Sequence, residues 1–325
     1  MGQFIGIDAS GISVIICCYN SEKTILRVLD GIKNQKNILF DYEVLVVNNK
    51  STDNTANLVT NYITKNNNIN IKLLSENRPG LMFAREKGIK ESVYDFIQFC
   101  DDDNILSQNY LSSVYEIFKS NHEIGACGGL GIELTDNVIP PFWFEKYKKS
   151  YAVGSQVRVI QDHLYGAGVA IRKKALNLVY TKGFRSFLSG RKGNSLLAGD
   201  DGELILAMLL CGYKLRASDS FFFMHIINSS RLTKAYLLDL HEGFGKMYPV
   251  IDIYREVLKS NKIKSKIYYE SKFLLKVLKS FISIFFKLGI DQKVQIRLFI
   301  GLIKGYFLFN RDLNQIIKII KQLKS

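Results

Sequence analysis

An aspartate triplet is the part of this sequence whose residue types most directly offer chemistry. Asp101, Asp102 and Asp103 follow the apolar run FIQFC, which predicts a buried strand ending at the triplet. Two carboxylates about 4 Å apart repel each other by about 1 kcal/mol in water and by more near a protein surface. Asp101 and Asp103 stand two positions apart, so both can reach one hard cation such as Mg²⁺ or Mn²⁺. A solvated acidic turn is the alternative interpretation.

Two further stretches place titratable side chains next to predicted elements. AGDDGEL carries Asp200 and Asp201 just before a helix predicted over 203–211. These aspartates can cap the helix and complement its dipole, or Asp201 can serve as a general base. FFFMH predicts a strand that ends at His225, which is a candidate third metal ligand or a structural histidine.

The elements that must position these groups alternate between strand and helix. Four apolar runs rich in β-branched residues predict buried strands at 12–18, 42–49, 70–76 and 94–100, with helical periodicity between them. This alternation predicts an α/β fold with right-handed βαβ units and a largely parallel sheet. Ligands of such sheets bind beyond the carboxyl ends of the strands, where the aspartate triplet falls.

Composition narrows the class of protein. The chain has 325 residues and five cysteines without C-x-x-C spacing, which predicts reduced core thiols in a cytosol. No basic segment followed by an apolar one opens the sequence, so we expect no secretory signal. No stretch of about 18 residues lacks charge, so no spanning helix is expected.

The positive charge is concentrated near the C-terminus. Residues 262–325 carry 14 Lys and Arg and three acids, so this segment supplies +11 of the total net charge of +14. Such a tail predicts an anionic partner. On a helix through KFLLKVLKSFISIFFK, one narrow polar arc opposes a wide apolar one. The polar arc consists of Lys272, Lys276, Lys279, Ser280, Ser283 and Lys287. This helix either packs on the body with its lysines in water or lies in a membrane interface.

Several of these stretches, taken in order, resemble a known family. The stretches are SVIICCYNSEKTILRVLDGIKNQ, YEVLVVNNKSTDNT, ENRPGLMFAREKGIKES, FIQFCDDDNIL, GAGVAIRKKAL and AGDDGELILAMLLCGYKL. Over about residues 11–240 they resemble the inverting glycosyltransferases of family 2, which have the GT-A fold. The resemblance implies a catalytic domain at 1–240, followed by a helical, basic and amphipathic region at 241–325.

The resemblance also assigns roles to individual residues. The implied ligands of the nucleotide-sugar are Cys18, Tyr19, Asn20, Glu22, Asn48, Asp53, Arg85, Asp101 and Asp102. Asp101 and Asp103 match the D-x-D metal motif for Mg²⁺ or Mn²⁺, and His225, from its place at a strand end, stays the candidate third ligand. Asp201 matches the catalytic base. Asn48 and Asp200 stand where the family usually has an aspartate and a glutamate, respectively.

The acceptor side is predicted from an aromatic-rich loop, PPFWFEKYKKSYAVG. Trp143 and Tyr151 in this loop are candidate sugar platforms, and packing is their alternative role. Gly166 and Asp200 complete the predicted acceptor set. We expect a UDP-sugar donor, a saccharide or lipid-linked acceptor, and no nucleic acid. A homodimer is a further expectation.

The resemblance implies a metal-assisted single displacement that inverts the sugar and serves cell-surface polysaccharide or glycolipid synthesis. The basic tail would attach the protein peripherally to the cytoplasmic face of the plasma membrane. A metal-dependent nucleotidyltransferase and an inactive membrane-associated scaffold are the alternatives. A dinucleotide oxidoreductase is disfavoured, because CCYNSEKT lacks the glycines that such enzymes need after the first strand.

Overall fold

One mixed sheet underlies the first part of the chain. The computed structural model describes residues 9–159, 161–188 and 199–325; residues 1–8, which bear on the expected lack of a secretory signal, lie outside it. The strands in these residues are β1 (Ala9–Cys18), β2 (Asp41–Asn48), β3 (Ile71–Ser75), β4 (Tyr94–Asp101), β5 (Asn104–Leu106), β6 (Ile124–Leu134), β7 (Ala170–Arg172) and β8 (Lys214–Ile226). They pair in the order β3-β2-β1-β4-β7-β6-β8-β5.

The predicted parallel arrangement holds for one half of this sheet. β1 pairs in parallel with β2 and β4, and β2 pairs in parallel with β3. In the other half β6 pairs in parallel with β8, whereas β7 runs antiparallel to β4 and β6, and β5 runs antiparallel to β8. The sheet is therefore mixed with parallel pairs in the majority, and the strands with continuous apolar sequence form its unbroken parallel block.

Helices flank the sheet and make up most of the C-terminal part. In the described residues they are α1 (Ile25–Lys33), α2 (Thr55–Lys65), α3 (Leu81–Glu91), α4 (Tyr110–Ser120), α5 (Phe144–Tyr147), α6 (Lys173–Thr181), α7 (Asp200–Leu210), α8 (Lys234–Ser260), α9 (Lys266–Ile284), α10 (Gly289–Phe309) and α11 (Leu313–Lys324). α5 and a single 3₁₀ turn at Lys148–Tyr151 occupy the segment predicted to be an aromatic loop, so that prediction is wrong. α7 begins three residues earlier than predicted.

The chain divides into two compact units. The first comprises the described residues up to Val138, Lys148–Leu178 and Tyr213–Ile227, and it contains the whole sheet. The second comprises Ile139–Tyr147, the described part of Val179–Gly212, and Asn228–Ser325. The predicted domain boundary between residues 240 and 241 stays a prediction; α8 runs through it without a break.

The core of the first unit follows from its sequence periodicity. α1 buries Ile25, Val28, Leu29 and Ile32, the positions that recur at helical spacing. β1 is buried from Gly11 to Ile16 and β2 from Glu43 to Val47, as expected of central parallel strands. These apolar contacts fix the strands whose carboxyl ends carry the candidate site residues.

Close backbone contact joins α8 and α10 in the second unit. A Cβ atom built on Gly301 would lie 2.2 Å from the Glu242 carbonyl oxygen and 2.9 Å from the Gly245 Cα. The Glu242 carboxylate accepts hydrogen bonds from Arg297 and Lys304 of α10, each at 2.7 Å. Small residues and one acid therefore hold the two helices together.

A second buried acid, Glu203, organises α7. Its Oε2 atom accepts hydrogen bonds from the Ser186 hydroxyl at 2.7 Å and from the backbone nitrogens of Phe187 and Leu188 at 3.0 and 3.1 Å. The Tyr254 hydroxyl of α8 donates to Oε1 at 3.2 Å. Burial raises the pKa of Glu203 to about 7 despite these hydrogen bonds.

The helix contact predicts a packing penalty at Gly301. Gly301→Ala places a methyl group against backbone atoms that cannot move aside. We therefore expect the free energy of unfolding, measured with urea, to fall by about 1–3 kcal/mol. Gly202→Ala is the matched control, because its added Cβ meets only the Ile251 Cδ1 atom, at 3.8 Å. The control should be neutral or stabilising by up to about 1 kcal/mol. Equal effects of the two substitutions would contradict the close packing.

The raised pKa of Glu203 predicts a pH-dependent stability. Below the unfolded-state pKa of 4.5 the carboxyl is protonated in both states; as pH rises towards 7 only the unfolded state ionises freely. The free energy of unfolding should therefore fall by about 3 kcal/mol across this window because of this group. Glu203→Gln lacks the titration, so its stability relative to the wild type should rise between pH 4.5 and pH 7. A constant difference, measured by urea unfolding at several pH values, would refute the assignment.

Candidate functional site

The carboxyl ends of β1, β2 and β4 meet at one edge of the sheet. Cys18 of β1 pairs with Asn48 of β2, and Cys17 pairs with Asp101 of β4. The segments that follow, 19–22, 49–53 and 102–103, therefore leave the sheet side by side. Most of the predicted nucleotide-sugar ligands lie in these segments or at the strand ends that precede them.

Hydrogen bonds between side chains and backbone join the first two of these segments. The Asn20 Oδ1 atom accepts from the Thr52 backbone nitrogen at 2.8 Å, and the Asn20 nitrogen donates to the Ser51 hydroxyl at 3.0 Å. The Glu22 nitrogen donates to Asp53 Oδ2 at 3.0 Å. Asn20, Glu22 and Asp53 thus shape the loops, whereas the Tyr19 ring is 60% exposed at the edge.

Asn48 takes part in the same arrangement through its oxygen. Its Oδ1 atom accepts a hydrogen bond from the Ser51 nitrogen at 3.0 Å. Within the described residues the Nδ2 group of Asn48 makes no hydrogen bond to protein. An aspartate in this position would offer only acceptors, so the asparagine adds a donor.

Asp102 connects the end of β4 to the loop after β1. Its Oδ2 atom accepts hydrogen bonds from the Ser21 hydroxyl and from the Tyr19 nitrogen, the latter at 3.3 Å. Burial and then the neighbouring charge of Asp103 raise the pKa of Asp102 to about 7. Asp102 therefore holds the loop that carries Tyr19.

The two outer aspartates have different neighbours. Asp101 Oδ2 accepts a hydrogen bond from Asn104 Nδ2 at 3.2 Å, and the Arg85 guanidinium of α3 lies 3.9 Å from Asp101 Oδ1. Asp103 Oδ2 lies 3.5 Å from His225 Nε2. The structure thus brings the predicted residues Arg85, Asp101, Asp103 and His225 to one place.

His225 reaches Asp103 because β5 and β8 are paired. Asn104 stands directly opposite His225 in this antiparallel pair, so Asp103, the residue before Asn104, lies next to His225. The Nδ1 atom of His225 lies 2.7 Å from the Tyr151 carbonyl oxygen, which can only accept, so Nδ1 carries the hydrogen. In the neutral ring Nε2 then presents a lone pair to the Asp103 carboxylate.

This donor set fits a divalent cation in part. Among the residues that the structure describes, no three His, Cys, Asp or Glu side chains form a ready-made metal cluster. Mg²⁺ and Mn²⁺ are, however, commonly bound by one or two carboxylates together with substrate phosphates. An imidazole whose other nitrogen donates to a backbone carbonyl is a frequent metal ligand. Asp101 and Asp103 are thus two carboxylates of the kind that such an ion would take together with phosphates, and His225 lies beside Asp103.

Asn49 also belongs to this edge, although it was not among the residues singled out from the sequence. Its Nδ2 group donates to the carbonyl oxygens of Glu76 and Arg78 at 3.1 and 2.7 Å, and its Oδ1 accepts from the Gly80 nitrogen at 2.8 Å. These bonds fix the loop that leads into α3 and hence to Arg85. The second asparagine of YEVLVVNN, at the end of a buried strand, was the available signal.

The predicted acceptor residues are less open than expected. Trp143 and Tyr151 are both buried, while Phe142 is 84% exposed. This burial favours the packing role for the two predicted rings, and the Tyr151 carbonyl orients His225. Gly166 lies in the turn before β7, where its carbonyl accepts a hydrogen bond from the Val169 nitrogen.

The second unit carries the predicted base. Asp200 and Asp201 occupy the first turn of α7, where the helix dipole favours negative charge. Gly199, with a φ of +107°, precedes them at the N-cap, the role predicted for Asp200. Glu203, one turn further along, holds this end of the helix through its hydrogen bonds to Ser186 and Leu188. It was not singled out from the sequence.

The polar arc of α9 does not face the solvent as expected but packs towards α8. Lys276 of α9 forms an ion pair with Asp252 of α8, and Lys272 lies 3.6 Å from Glu256. The apolar side of α9 is instead exposed, with Leu274 at 62% and Leu275 at 55%, and Phe285 and Phe286 directly after the helix are exposed as well. No helix in the described residues has both the length and the apolar character needed to cross a membrane.

Comparison with known proteins identifies the family. The profile described as Glycosyl transferase family 2 matches residues 13–177, about half of the chain. A poly-β-1,6-N-acetyl-D-glucosamine synthase of Staphylococcus aureus is 34% identical over 125 residues, which cover 38% of this chain and 29% of the relative. The poly(ribitol-phosphate) β-N-acetylglucosaminyltransferase TarP of S. aureus is 28% identical over 137 residues, or 42% of this chain and 41% of TarP. The chain thus spans well under two thirds of these relatives.

Solved structures confirm the predicted fold. S. aureus TarS 1–349 in complex with UDP has a TM-score of 0.51 and 17% identity, covering 97% of this chain and 90% of that one. The mannosyltransferase PcManGT from Pyrobaculum calidifontis, in complex with GDP-Man and Mn²⁺, has a TM-score of 0.59 and 13% identity, covering 94% and 91%. The sheet and its flanking helices thus form a GT-A fold. Because the family profile covers half of its length, the chain belongs to glycosyl transferase family 2.

Proposed function

We propose that this protein is an inverting glycosyltransferase that moves a sugar from a UDP-sugar to a hydroxyl acceptor during synthesis of a cell-surface polysaccharide or glycolipid. The observation that carries the proposal is the convergence of Asp101, Asp103, His225 and Arg85 at the edge where β1, β2 and β4 end. The names of the two S. aureus relatives, a poly-β-1,6-N-acetyl-D-glucosamine synthase and a poly(ribitol-phosphate) β-N-acetylglucosaminyltransferase, support a role in polysaccharide synthesis.

The first unit offers groups for a nucleotide. Tyr19 presents an exposed ring for stacking on the base, and the loop that carries it is held by Asp102. The Nδ2 group of Asn48 is a donor suited to a carbonyl oxygen of the base. Structures of TarS with UDP and with UDP-GlcNAc support a uridine nucleotide. Cys18, Asn20, Glu22 and Asp53 would act mainly by shaping the loops.

Asp101, Asp103 and His225 would hold Mg²⁺ or Mn²⁺ together with the pyrophosphate of the donor. When bound, such an ion supplies Lewis-acid stabilisation of the leaving diphosphate. Arg85, beside Asp101, is placed to contact the same phosphates. The Mn²⁺ in the PcManGT complex supports this assignment.

Asp201 would be the general base. It would accept the proton of the acceptor hydroxyl as that oxygen attacks the anomeric carbon from the face opposite the leaving group. Asp200, Gly166, Trp143 and Tyr151 remain the proposed acceptor residues, and the burial of the two rings limits them to supporting roles. A nucleotidyltransferase would transfer the nucleotide and would not need Asp201, whereas an inactive scaffold would transfer nothing.

The base assignment predicts a specific kinetic defect. Asp201→Asn keeps the shape of the side chain and removes its proton affinity, so transfer should slow by at least about 100-fold while the Kd for UDP-sugar stays nearly unchanged. Asp41→Asn is the matched control, since Asp41 starts β2 and lies at the opposite end of that strand. Unchanged turnover of Asp201→Asn, or retained configuration at the anomeric proton in the NMR spectrum of the product, would contradict the mechanism.

We further propose that the protein attaches peripherally to an anionic membrane through α9. The exposed Leu and Phe side chains of this helix would insert, and the surplus of basic residues in 262–325 would attract the lipid head groups. This arrangement would bring the protein to a lipid-linked acceptor on the cytoplasmic face. Burial of the same apolar side chains in a homodimer is the alternative.

The membrane proposal predicts a loss of binding when the exposed rings are removed. The double substitution of Phe285 and Phe286 by serine should weaken co-sedimentation with anionic liposomes about 100-fold, because each ring is worth about 1.5–3 kcal/mol when buried. Serine at Leu39 and Ile139, which are 95% and 91% exposed, is the matched control. Equal binding of both double variants, or no binding of the wild type, would contradict the proposal and favour the homodimer.

A further inference from the structure

The second unit contains a cleft of about 450 Å³ that plays no part in the proposed transfer reaction. α8, α9, α10 and α11 contribute to its lining. One wall is aromatic, and there the rings of Phe273 and Tyr306 stack with their centroids 4.9 Å apart. A cleft of this size is in the range of small-ligand sites.

The charged groups of the lining leave a positive surplus. The basic lining residues are Arg255, Lys259, Lys272, Lys276 and Lys279, and the acidic ones are Asp252, Glu256 and Glu270. All three acids already have partners on the protein: Lys276 pairs with Asp252, Lys272 with Glu256, and Lys266 with Glu270. Within the described residues Arg255 and Lys279 form no ion pair. Their positive charges are therefore available to bind an anion in the cleft.

Two buried polar atoms of the lining residues lack hydrogen-bond partners. In the described part of the chain, neither Nε of Arg255 nor Oδ1 of Asn310 has one. Because both residues line the cleft, the guanidinium of Arg255 and the side-chain amide of Asn310 are polar groups with unused hydrogen-bonding capacity beside it. The arginine fits a phosphate oxygen, and the asparagine oxygen fits a hydroxyl group.

The cleft is continuous with an apolar surface. Leu275 of α9 lines it and is itself 55% exposed, and Leu274 and Leu278 on the same helix are exposed as well. A ligand that combines a phosphate, a hydroxyl and hydrocarbon chains matches the cations, the asparagine and the leucines together.

We infer that this cleft binds a single anionic phospholipid with a hydroxyl-bearing head group, its phosphate on Arg255 and its hydroxyl on Asn310. The aromatic wall and the leucines of α9 contact the first part of the acyl chains. The inference goes beyond sugar transfer and holds whether or not α9 inserts into a bilayer, since it concerns one lipid molecule and not a surface.

The test uses the full-length protein and monomeric short-chain lipid, so that no bilayer is present. Dihexanoyl phosphatidylglycerol below its critical micelle concentration should bind saturably in calorimetry, and Arg255→Gln should weaken that binding about tenfold. Arg311→Gln is the matched control, because Arg311 is an exposed arginine of the same unit that does not line the cleft. Its affinity should match the wild type.

Two further arms separate a lipid site from simpler explanations. Asn310→Asp, which adds a negative charge to the lining, should also weaken binding about tenfold, and it provides a second variant if Arg255→Gln fails to fold. Dihexanoyl phosphatidylcholine and inorganic phosphate should each bind at least about tenfold more weakly than phosphatidylglycerol. Equal loss in Arg311→Gln, equal binding of phosphate alone, or no saturable binding would overturn the inference. Transfer activity is not needed for any of these outcomes.

Discussion

The negative charge of Asp101, Asp102 and Asp103 is concentrated within a few ångströms at the end of β4, and the surrounding elements are arranged to hold it. Two such charges 4 Å apart repel by about 4 kcal/mol at the effective dielectric of a protein surface. The structure separates their tasks. Asp102 binds the loop after β1 and has a raised pKa, Asp101 faces Asn104 and Arg85, and Asp103 faces His225. β1, α3 and β8 therefore all meet at the triplet.

Buried acids also organise the helical unit, with a different outcome. Glu242 is surrounded by Lys246, Arg297 and Lys304 and joins α8 to α10. Among the residues that the structure describes, the hydrogen-bond donors to Glu203 are all neutral, so burial dominates and its pKa rises to about 7. In the first unit Asp101 and Asp103 face polar neighbours at the strand ends, whereas in the second Glu203 and Glu242 hold helices and turns in position.

The sequence predicted the parallel half of the sheet and the edge that carries the triplet, because continuous apolar strands and helical spacing are local signals. It also predicted His225, at the end of the strand FFFMH, as a candidate ligand of the same metal as Asp103, and the structure places their side chains 3.5 Å apart. The role of Glu203 was missed because its partners are backbone groups 15 or more residues away. The orientation of α9 was also missed: its periodicity defines two faces, but the acids of α8 decide which face packs. The burial of Trp143 and Tyr151 could not be predicted for a similar reason, because it depends on tertiary contacts that the composition of the segment does not reveal.

We propose that Asp103 and the Nε2 atom of His225 share a cation. Pulsed electron paramagnetic resonance of bound Mn²⁺ tests this proposal most directly. With UDP present and the histidines labelled with ¹⁵N, the Mn²⁺ signal should show coupling to one histidine nitrogen. The coupling should vanish in His225→Asn, which keeps a donor for the Tyr151 carbonyl, and persist in His122→Asn, an exposed histidine. Absence of nitrogen coupling in the wild type, or its survival in His225→Asn, would contradict the account.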